Sequence, residues 1–380
     1  MRIGITCYPT YGGSGVVATE LGIELANRGH DVHFISYSQP IRLTEAHPHI
    51  HFHEVEVSQY PLFEYPPYDL ALATRMAEVA ELYELDLLHV HYAIPHSVSA
   101  MLARQMLACD HVRKPRRLPY VTTLHGTDIT LVGLDPSYLP ITRFSIEQSD
   151  AVTAISEDLR RSTVESFSIT KPIEVIYNFV NCDLYVRDAG AAQRRKEYAP
   201  NGEFIFVHLS NFRPVKRVQD CIRILAEVRK TVNAQLLMVG DGPERGAAEH
   251  LASQLGVRDS VEFVGKQNHV ERLIRKAHVL LMPSEMESFG LAALEAMACG
   301  VVPVGTNVGG VPELITDGVD GCLETVGDVP RLAARAAELL TNSTVYARMA
   351  LAARKTAVDR FSTESLIPQY ERYYEDVVAR

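Results

Sequence analysis

Two glutamates stand at the ends of the segment Glu287-Ser-Phe-Gly-Leu-Ala-Ala-Leu-Glu295. A helix predicted to begin near Gly290 would place Glu287 before its first turn and Glu295 roughly a turn and a half inside it. The unbonded N–H groups of the helix N-terminus would lie between them and favour an anion. Carboxylates for sugar hydroxyls at both ends, with amides for a phosphate in the middle, predict a pocket for a nucleotide sugar.

The two carboxylates are expected to play different roles. Glu295 is placed to bind a ribose diol with both oxygens, and Glu287 to orient the transferred sugar. A glutamate pair on a helix is usually a surface feature. These two lie among Phe, Leu, Ala and Met, where an unpaired charge is costly, so a functional site is favoured. The amides expected to face the phosphate are those of Ser288, Phe289, Gly290 and Leu291.

A basic segment, Ser210-Asn-Phe-Arg-Pro-Val-Lys-Arg217, directly follows a strand predicted over residues 204–209. Arg213 and Lys216 are suited to neutralise a diphosphate leaving group as its P–O bond takes on charge. A basic cluster alone is more often a solvated face, but this one lies at a strand end. Gly240, at the end of the next strand, either shapes a nucleobase site or simply allows a turn.

A glycine-rich segment, Gly12-Gly-Ser-Gly15, follows the first predicted strand. Gly13, Ser14 and Gly15 are expected to bring backbone amides close to a phosphate of the donor. The segment fits a dinucleotide fingerprint, but a dehydrogenase would also need an acidic residue at the end of strand two. That strand ends in Ser36-Tyr-Ser38, which weakens an NAD site and leaves a plain glycine turn as the alternative.

Three further residues are candidates on the same half of the chain. His125 follows a strand predicted over 120–123 and is expected to touch the sugar or the reacting centre, although a structural histidine is the alternative. His91 or Tyr92 ends a neighbouring strand. Arg143 is a candidate for binding an acceptor carboxylate through its planar guanidinium.

The elements that must position these residues alternate as in βαβ units. Strands are predicted at 3–8, 31–36, 204–209, 234–239, 261–264, 279–282 and 301–304, and helices at 16–27, 218–231, 243–255 and 366–378. The fold expected is α/β, with two doubly wound Rossmann-like domains facing a central cleft. The predicted domains are residues 1–175 with a C-terminal helix at 363–380, for the acceptor, and residues 176–362, for the nucleotide sugar.

Composition narrows the class of protein. With 380 residues, 47% hydrophobic and 22% charged, the chain is expected to be globular. A net charge of −10 argues against a general nucleic-acid binder. The six cysteines show no metal-binding spacing, and we expect no signal peptide and no membrane span, hence a cytoplasmic protein.

The glycine segment, His125, Lys216 and the glutamate pair together resemble the retaining glycosyltransferases of family 4, which have the GT-B fold. The resemblance covers essentially the whole chain. Many members carry Arg where this chain has Asn211, so Asn211 is expected in the donor site with Arg213 as the second diphosphate ligand.

The chain also resembles the family members that transfer N-acetylglucosamine from UDP-GlcNAc to L-malate, the first step of bacillithiol synthesis. The segments that carry this resemblance are 7–15, 91–96, 124–128, 177–179 and 210–217. The resemblance implies retention of configuration, with a diphosphate oxygen accepting the proton. No Asp-x-Asp motif stands at a predicted strand end, so we expect Lys216 and Arg213 to replace a metal at the diphosphate and no cofactor to take part. The residues that the resemblance places around malate are Ser14, Tyr92, Thr127, Arg143 and Asn178.

Three alternatives remain at this point. A family-4 enzyme acting on a lipid or polysaccharide could use the basic run 113–117 at a membrane, although a solvated loop is favoured there. A non-catalytic nucleotide-sugar sensor and an NAD(P) oxidoreductase are the other two. A homo-oligomer is compatible with the sequence.

Overall fold

A computed structural model describes residues 1–10, 12–58, 61–62, 64–109, 115–130, 132–187, 196 and 198–380. The contacts between residues divide the chain into two compact units. Unit 1 comprises Met1–Tyr177 with Leu366–Arg380, and unit 2 comprises Asn178–Ser365. These boundaries lie within a few residues of those expected from the sequence.

Unit 1 is built on a seven-stranded parallel sheet in the order β3-β2-β1-β4-β5-β6-β7. Its strands are β1 Arg2–Thr6, β2 Asp31–Ser36, β3 Ile50–Glu54, β4 Leu87–His91, β5 Tyr120–Leu124, β6 Ala151–Ala154 and β7 Ile173–Val175. Its helices are α1 Gly13–Asn27, α2 Tyr68–Leu82, α3 Val98–Leu107, α4 Thr127–Thr130, α5 Leu139–Gln148 and α6 Glu157–Phe167, with an irregular turn at Ala93–Ser97. The central strands β4 and β5 are buried along their whole length, as expected of a parallel sheet that is covered on both faces.

Unit 2 repeats this architecture with a six-stranded parallel sheet in the order β10-β9-β8-β11-β12-β13. Its strands are β8 Phe204–Ser210, β9 Ala234–Gly240, β10 Val261–Gly265, β11 Val279–Met282, β12 Val302–Thr306 and β13 Cys322–Glu324. Its helices are α7 Val218–Val228, α8 Arg245–Gln254, α9 Glu271–Ile274, α10 Leu291–Ala298, α11 Val311–Leu314, α12 Val329–Thr341 and α13 Ser343–Phe361, with 3₁₀ turns at Pro214–Lys216 and Arg258–Ser260.

Both sheets have a point where the strand order reverses direction. In unit 1 the first strand, β1, lies between β2 and β4, and in unit 2 the first strand, β8, lies between β9 and β11. The loops after β1 and β4, and those after β8 and β11, leave their sheets on opposite sides and open a crevice at the carboxyl edge. The strand order thus specifies one crevice in each unit.

The last helix, α14 at Thr363–Val378, returns the chain to unit 1. The Tyr374 hydroxyl lies 2.7 Å from Nδ1 of His89 on β4, and the Tyr373 hydroxyl donates to the carbonyl of Val152 on β6 at 3.0 Å. Tyr374 is fully buried. The apolar stripe predicted at 366–378 is therefore the face that packs on the unit 1 sheet.

The predicted α/β class with two doubly wound, parallel-sheet units is confirmed. Helix α1 begins at Gly13, three residues before its predicted start, so Gly13 and Gly15 lie in its first turn rather than in a loop. The short edge strands β3, β7 and β13 were not predicted. Among the described residues, no helix combines the length and the apolar character needed to cross a membrane.

Buried imidazoles are concentrated in unit 1. Burial lowers the pKa of His89 and His125 to about 3 and that of His33, His53 and His96 to about 4, and it lowers the pKa of His91 well below 6.5. In unit 2, His208 is the histidine whose pKa is lowered in the same way, to about 4, among the residues the structure describes. The two units should therefore respond differently to acid.

We predict that acid destabilises unit 1 more than unit 2. Folded, these imidazoles stay neutral, whereas the unfolded chain binds protons below pH 6.5, so the free energy of unfolding falls between pH 6.5 and about 4. Asp128, whose pKa burial raises to about 6, partly opposes this fall. Hydrogen exchange at pH 7 and pH 5 measures each unit separately. An equal loss of protection in both units would contradict the prediction.

Candidate active site

An ion pair spans the crevice of unit 2. Lys216 Nζ lies 2.6 Å from Glu287 Oε1, and both side chains are largely withdrawn from solvent. Lys216 ends the 3₁₀ turn after β8, and Glu287 lies in the loop after the adjacent strand β11. The backbone N–H of Glu285 donates to the carbonyl of Val215 at 2.8 Å, which ties the two loops together. The structure thus brings together two residues predicted separately from the sequence.

Ser284 is a member of this cluster that the sequence analysis missed. Its hydroxyl donates to Glu287 Oε1 at 2.8 Å, and the residue is completely buried. The same carboxylate oxygen therefore accepts from an ammonium and a hydroxyl. Its position three residues before Glu287 was the only signal in the sequence.

The N-terminus of α10 has the character expected of an anion site. Helix α10 begins at Leu291, directly after Gly290, whose φ of 94° is readily adopted only by glycine. The N-cap residue, Gly290, has no side chain with which to cap this end, and the first turn of α10 carries no acidic residue. The Phe289 ring packs on Phe361 with a centroid separation of 5.6 Å, so its side chain belongs to the core. Any contact of Phe289 with a ligand would have to come from its backbone.

Glu295 has a protein partner, which corrects the argument made from the sequence. The Tyr185 hydroxyl donates to Glu295 Oε1 at 2.7 Å, and both residues are buried. The carboxylate is thus not an unpaired charge, and its burial does not by itself require a ligand. Arg354 holds Tyr185 in turn, by donating to its carbonyl at 2.5 Å. Sequence reasoning missed Tyr185 because it lies 110 positions from Glu295.

The cations of the basic segment differ in their surroundings. Arg217 forms an ion pair with Asp220 at 2.7 Å, which holds its side chain at the start of α7. Arg213 and Asn211 are exposed at the carboxyl end of β8. Lys216 and Arg213 are therefore the cations of this segment on which a diphosphate site can be built.

The glycine turn after β9 is required by a close approach of two backbones. Gly240 has a φ of 119°, and a Cβ placed there would lie 1.8 Å from the carbonyl oxygen of Ser210. A Cβ at Gly242 would lie 2.0 Å from the carbonyl oxygen of Asn211. Gly240 therefore has a structural role, which is to let the loops after β8 and β9 touch.

In unit 1, the crevice loops are joined by a hydrogen bond between two predicted site residues. The Ser14 hydroxyl, in the first turn of α1, donates to the Tyr92 hydroxyl at 3.0 Å. Tyr92 follows β4 with a φ of 95°, an unfavourable backbone conformation for a tyrosine. A Cβ at Gly15 would lie 2.4 Å from the carbonyl oxygen of Tyr8, so α1 can approach β1 this closely only with glycine there.

Asp128 holds the two central loops of this crevice in place. Its buried carboxylate accepts from the backbone N–H of Ala93 at 3.0 Å, of Gly126 at 2.9 Å and of His125 at 3.2 Å. The ring centroids of Tyr92 and His125 lie 5.5 Å apart, which puts the two side chains side by side. Asp128 was not singled out in the sequence, although it stands three residues after His125.

The remaining predicted acceptor residues are more dispersed. Thr127 begins α4 and is partly buried. Arg143 is exposed on α5, where it donates to the carbonyl of Ser168 at 3.4 Å. Asn178 belongs to unit 2, is buried, and its Oδ1 has no hydrogen-bond partner in the described part of the chain.

The basic run 113–117 is only partly described, since residues 113 and 114 lie outside the described residues. Arg116 donates to the carbonyls of Leu85 and Ala80, both at 2.7 Å, and Arg117 pairs with Asp150. These two arginines have partners within unit 1. Separately, among the residues with described positions, no group of three or more His, Cys, Asp or Glu side chains is arranged so that it could hold a metal ion.

Comparison with known proteins identifies the family. The family model "Glycosyltransferase Family 4" matches residues 11–184, and "Glycosyl transferases group 1" matches residues 191–356. The N-acetyl-alpha-D-glucosaminyl L-malate synthase of Bacillus anthracis is 49% identical over 379 residues, which cover 100% of this chain and 97% of that enzyme. The chain is a glycosyltransferase of family 4.

Solved structures confirm the fold of this glycosyltransferase. Sucrose-phosphate synthase from Thermosynechococcus elongatus superposes with a TM-score of 0.80 at 22% identity, over 100% of this chain and 99% of that one. Anabaena HepE in complex with UDP-glucose gives a TM-score of 0.81 at 22% identity, over 99% of this chain and 100% of that one. The expected GT-B fold is therefore confirmed.

We predict that Gly240→Ala lowers the free energy of unfolding of unit 2 by about 2–4 kcal/mol, through backbone strain and the clash with Ser210. Gly246→Ala is the matched control, because Gly246 lies in α8 and a Cβ there meets nothing within 4 Å. Hydrogen exchange of unit 2 and the unfolding temperature measure the effect. Equal stability of the two variants would show that the loops do not need the glycine.

Proposed function

We propose that this glycosyltransferase transfers N-acetylglucosamine from UDP-GlcNAc to the hydroxyl of L-malate, which would be the first step of bacillithiol synthesis in the cytoplasm. The observation that carries the proposal is the 49% identity, over essentially the whole chain, with an N-acetyl-alpha-D-glucosaminyl L-malate synthase. The lipid-acceptor alternative has no comparable support.

The donor site is proposed at the carboxyl edge of unit 2. Lys216 and Arg213 would bind the diphosphate and stabilise the charge that develops as the bond to the sugar breaks. The uncapped N-terminus of α10 would add backbone N–H groups to the same anion. Glu295, held in place by its hydrogen bond with Tyr185, would bind the ribose. Glu287 would orient the transferred sugar. Further donor contacts in unit 2 would come from Asn211, Gly240, Ser288, Phe289, Gly290 and Leu291. In unit 1, the residues proposed for donor contacts are Gly13, Ser14 and Gly15.

The Lys216–Glu287 pair suggests how these two side chains change partners when the nucleotide sugar binds. In the structure, the Lys216 ammonium and the Glu287 carboxylate neutralise each other at 2.6 Å. A diphosphate can take the place of Glu287 beside Lys216, which releases Glu287 to accept from sugar hydroxyls. The cost of separating a half-buried pair is then offset because both charges find new partners.

In unit 1, the residues proposed for malate lie at the carboxyl edge of the sheet; in unit 2, Asn178 is the residue proposed for malate. Arg143 offers a planar fork for a carboxylate. Ser14, Tyr92 and Thr127 offer hydroxyl groups, and the buried Oδ1 of Asn178 lacks a protein partner within the described residues. His125 would contact the transferred sugar or the reacting centre.

The proposed chemistry retains the anomeric configuration and needs no metal and no other cofactor. The malate hydroxyl would attack the anomeric carbon on the face from which UDP departs. The bond from that carbon to the diphosphate oxygen breaks, and a diphosphate oxygen takes the hydroxyl proton. The cations Lys216 and Arg213 would carry out the charge stabilisation that a metal supplies in other enzymes.

An acceptor panel tests the proposed function. With UDP-GlcNAc, we expect a product of the mass of GlcNAc-malate, and little or none with inositol phosphate or a lipid carrier. The NMR coupling constant of the anomeric proton should identify an α-linked product. Addition of EDTA should leave the rate of transfer unchanged. A preference for the lipid carrier would overturn the acceptor. A β-linked product, or a rate lost in EDTA and restored by magnesium, would overturn the proposed mechanism.

Two substitutions separate the roles of the donor residues. Lys216→Met should lower kcat by about 10²–10³, because it removes a charge that acts in the transition state. Glu295→Gln, which keeps an acceptor for Tyr185, should instead raise the Kd of UDP roughly tenfold. Steady-state kinetics and calorimetry measure the two effects.

The exposed Lys230, which pairs with Glu227 at 2.7 Å, provides the charge-matched control for the first substitution. Lys230→Met should change neither parameter. Tyr185→Phe is the control for the second, because it removes the internal hydrogen bond and keeps the carboxylate. If Lys216→Met behaved like Lys230→Met, Lys216 would have no part in the reaction.

A further inference from the structure

His91 and His125 form a buried pair in unit 1. His91 Nδ1 lies 2.8 Å from His125 Nε2, and their rings are stacked with centroids 5.0 Å apart. His91 is the last residue of β4, and His125 directly follows β5, the parallel strand next to it. A hydrogen bond between two neutral imidazoles needs one N–H and one lone pair, so the proton sits on one of the two nitrogens.

The surroundings of Nε2, the other ring nitrogen of His91, indicate whether His91 or His125 donates this hydrogen bond. His91 Nε2 is buried and has no hydrogen-bond partner among the described residues. If that atom carried the proton, a buried N–H would go unsatisfied, which is more costly than leaving a lone pair unused. The proton of His91 therefore belongs on Nδ1, which donates to Nε2 of His125.

His96, next to this pair, shows the same arrangement without ambiguity. Its Nδ1 lies 2.6 Å from the carbonyl oxygen of His91, which can only accept, so Nδ1 carries the proton. Its Nε2 is then a bare nitrogen, and it too is buried without a partner in the described part of the chain. The interior of unit 1 thus already accommodates one unpaired imidazole lone pair.

We propose that His91 is a positioning residue that holds His125 as its Nδ1–H tautomer, so that His125 offers an N–H donor to the substrate. With Nε2 engaged by His91, the proton of a neutral His125 must lie on Nδ1. The imidazole then donates to a sugar or acceptor oxygen and does not take a proton from it. This inference rests on the proposed function and deepens the role assigned there to His125.

The surroundings of His91 support this role. The His89 ring packs on His91 at a centroid distance of 4.4 Å and is itself held by Thr123 Oγ1 at 2.6 Å and by Tyr374 at 2.7 Å. His96 fixes the backbone of His91, because its Nδ1–H donates to the His91 carbonyl. Burial lowers the pKa of each of these imidazoles below 6.5, so the pair is neutral at physiological pH. Two neutral rings with one shared proton are what the tautomer assignment requires.

Substitutions at His91 distinguish this hydrogen bond from simple packing. The amide of His91→Asn can replace the Nδ1–H donor, whereas His91→Leu fills the space without a donor. We expect His91→Asn to keep kcat within about threefold of the wild type and His91→Leu to lower kcat roughly tenfold or more, with the KM of malate little changed. If packing alone matters, the order reverses, because leucine fills the site better than asparagine. Such a reversal, or equal activity, would overturn the proposal.

The tautomer itself can be read by NMR in the wild-type protein, without substrate. In protein labelled at the imidazole nitrogens, His125 is assigned by comparison with His125→Asn. We expect a protonated Nδ1 and a bare Nε2. A protonated Nε2 would overturn the inference even if the enzyme makes GlcNAc-malate. Conversely, an enzyme inactive with malate but showing the expected tautomer would refute the proposed function and leave the role of His91 intact.

Discussion

The ion pair between Lys216 and Glu287 is the interaction on which the proposed donor site depends. It exists because β8 and β11 are neighbours in a parallel sheet, so the loops that follow them leave the same edge. Neither residue is fully exposed, and each lies where the loss of its partner would leave a charge poorly solvated. A ligand that enters here must therefore supply both an anion for the lysine and hydrogen-bond donors for the glutamate. A sugar attached to a diphosphate satisfies both requirements.

Unit 1 places hydroxyl and imidazole groups, a buried carboxylate and a strained backbone at the corresponding edge of its own sheet. The hydrogen bond from Ser14 to Tyr92 joins the loops after β1 and β4, and the buried carboxylate of Asp128 ties the loop after β4 to the loop after β5. The backbone around the positive φ of Tyr92 is held by two hydrogen bonds, from the Tyr92 N–H to the carbonyl of Thr123 and from the Ala93 N–H to Asp128. The rigidity of this edge makes it suitable for presenting hydroxyl and imidazole groups at defined positions.

Much of the fold and part of the site were predictable from the sequence. The alternation of buried runs and helical segments gave the two doubly wound units, because periodicity reports burial directly. Lys216 and His125 were predicted because each follows a strand, and strand ends in such sheets are where ligands bind. Glu287 was predicted because it stands just before a helix that begins near Gly290. The start of α10 directly after Gly290 was predictable because glycine there precedes an apolar helical run.

Contacts between distant positions were not predictable. The pairing of Lys216 with Glu287 depends on strand order, and the bond from Tyr185 to Glu295 depends on how a segment far away in sequence packs. The need for glycine at position 240 comes from the carbonyl of Ser210, which no local pattern reveals. Edge strands such as β13 are too short to show a period of their own.

The most direct test of the central claim is a crystal structure of this protein with UDP. The diphosphate should lie within hydrogen-bonding distance of Lys216 Nζ and of the first amides of α10, with the ammonium moved away from Glu287 and the ribose at Glu295. A nucleotide bound elsewhere, with the Lys216–Glu287 pair intact, would contradict the account.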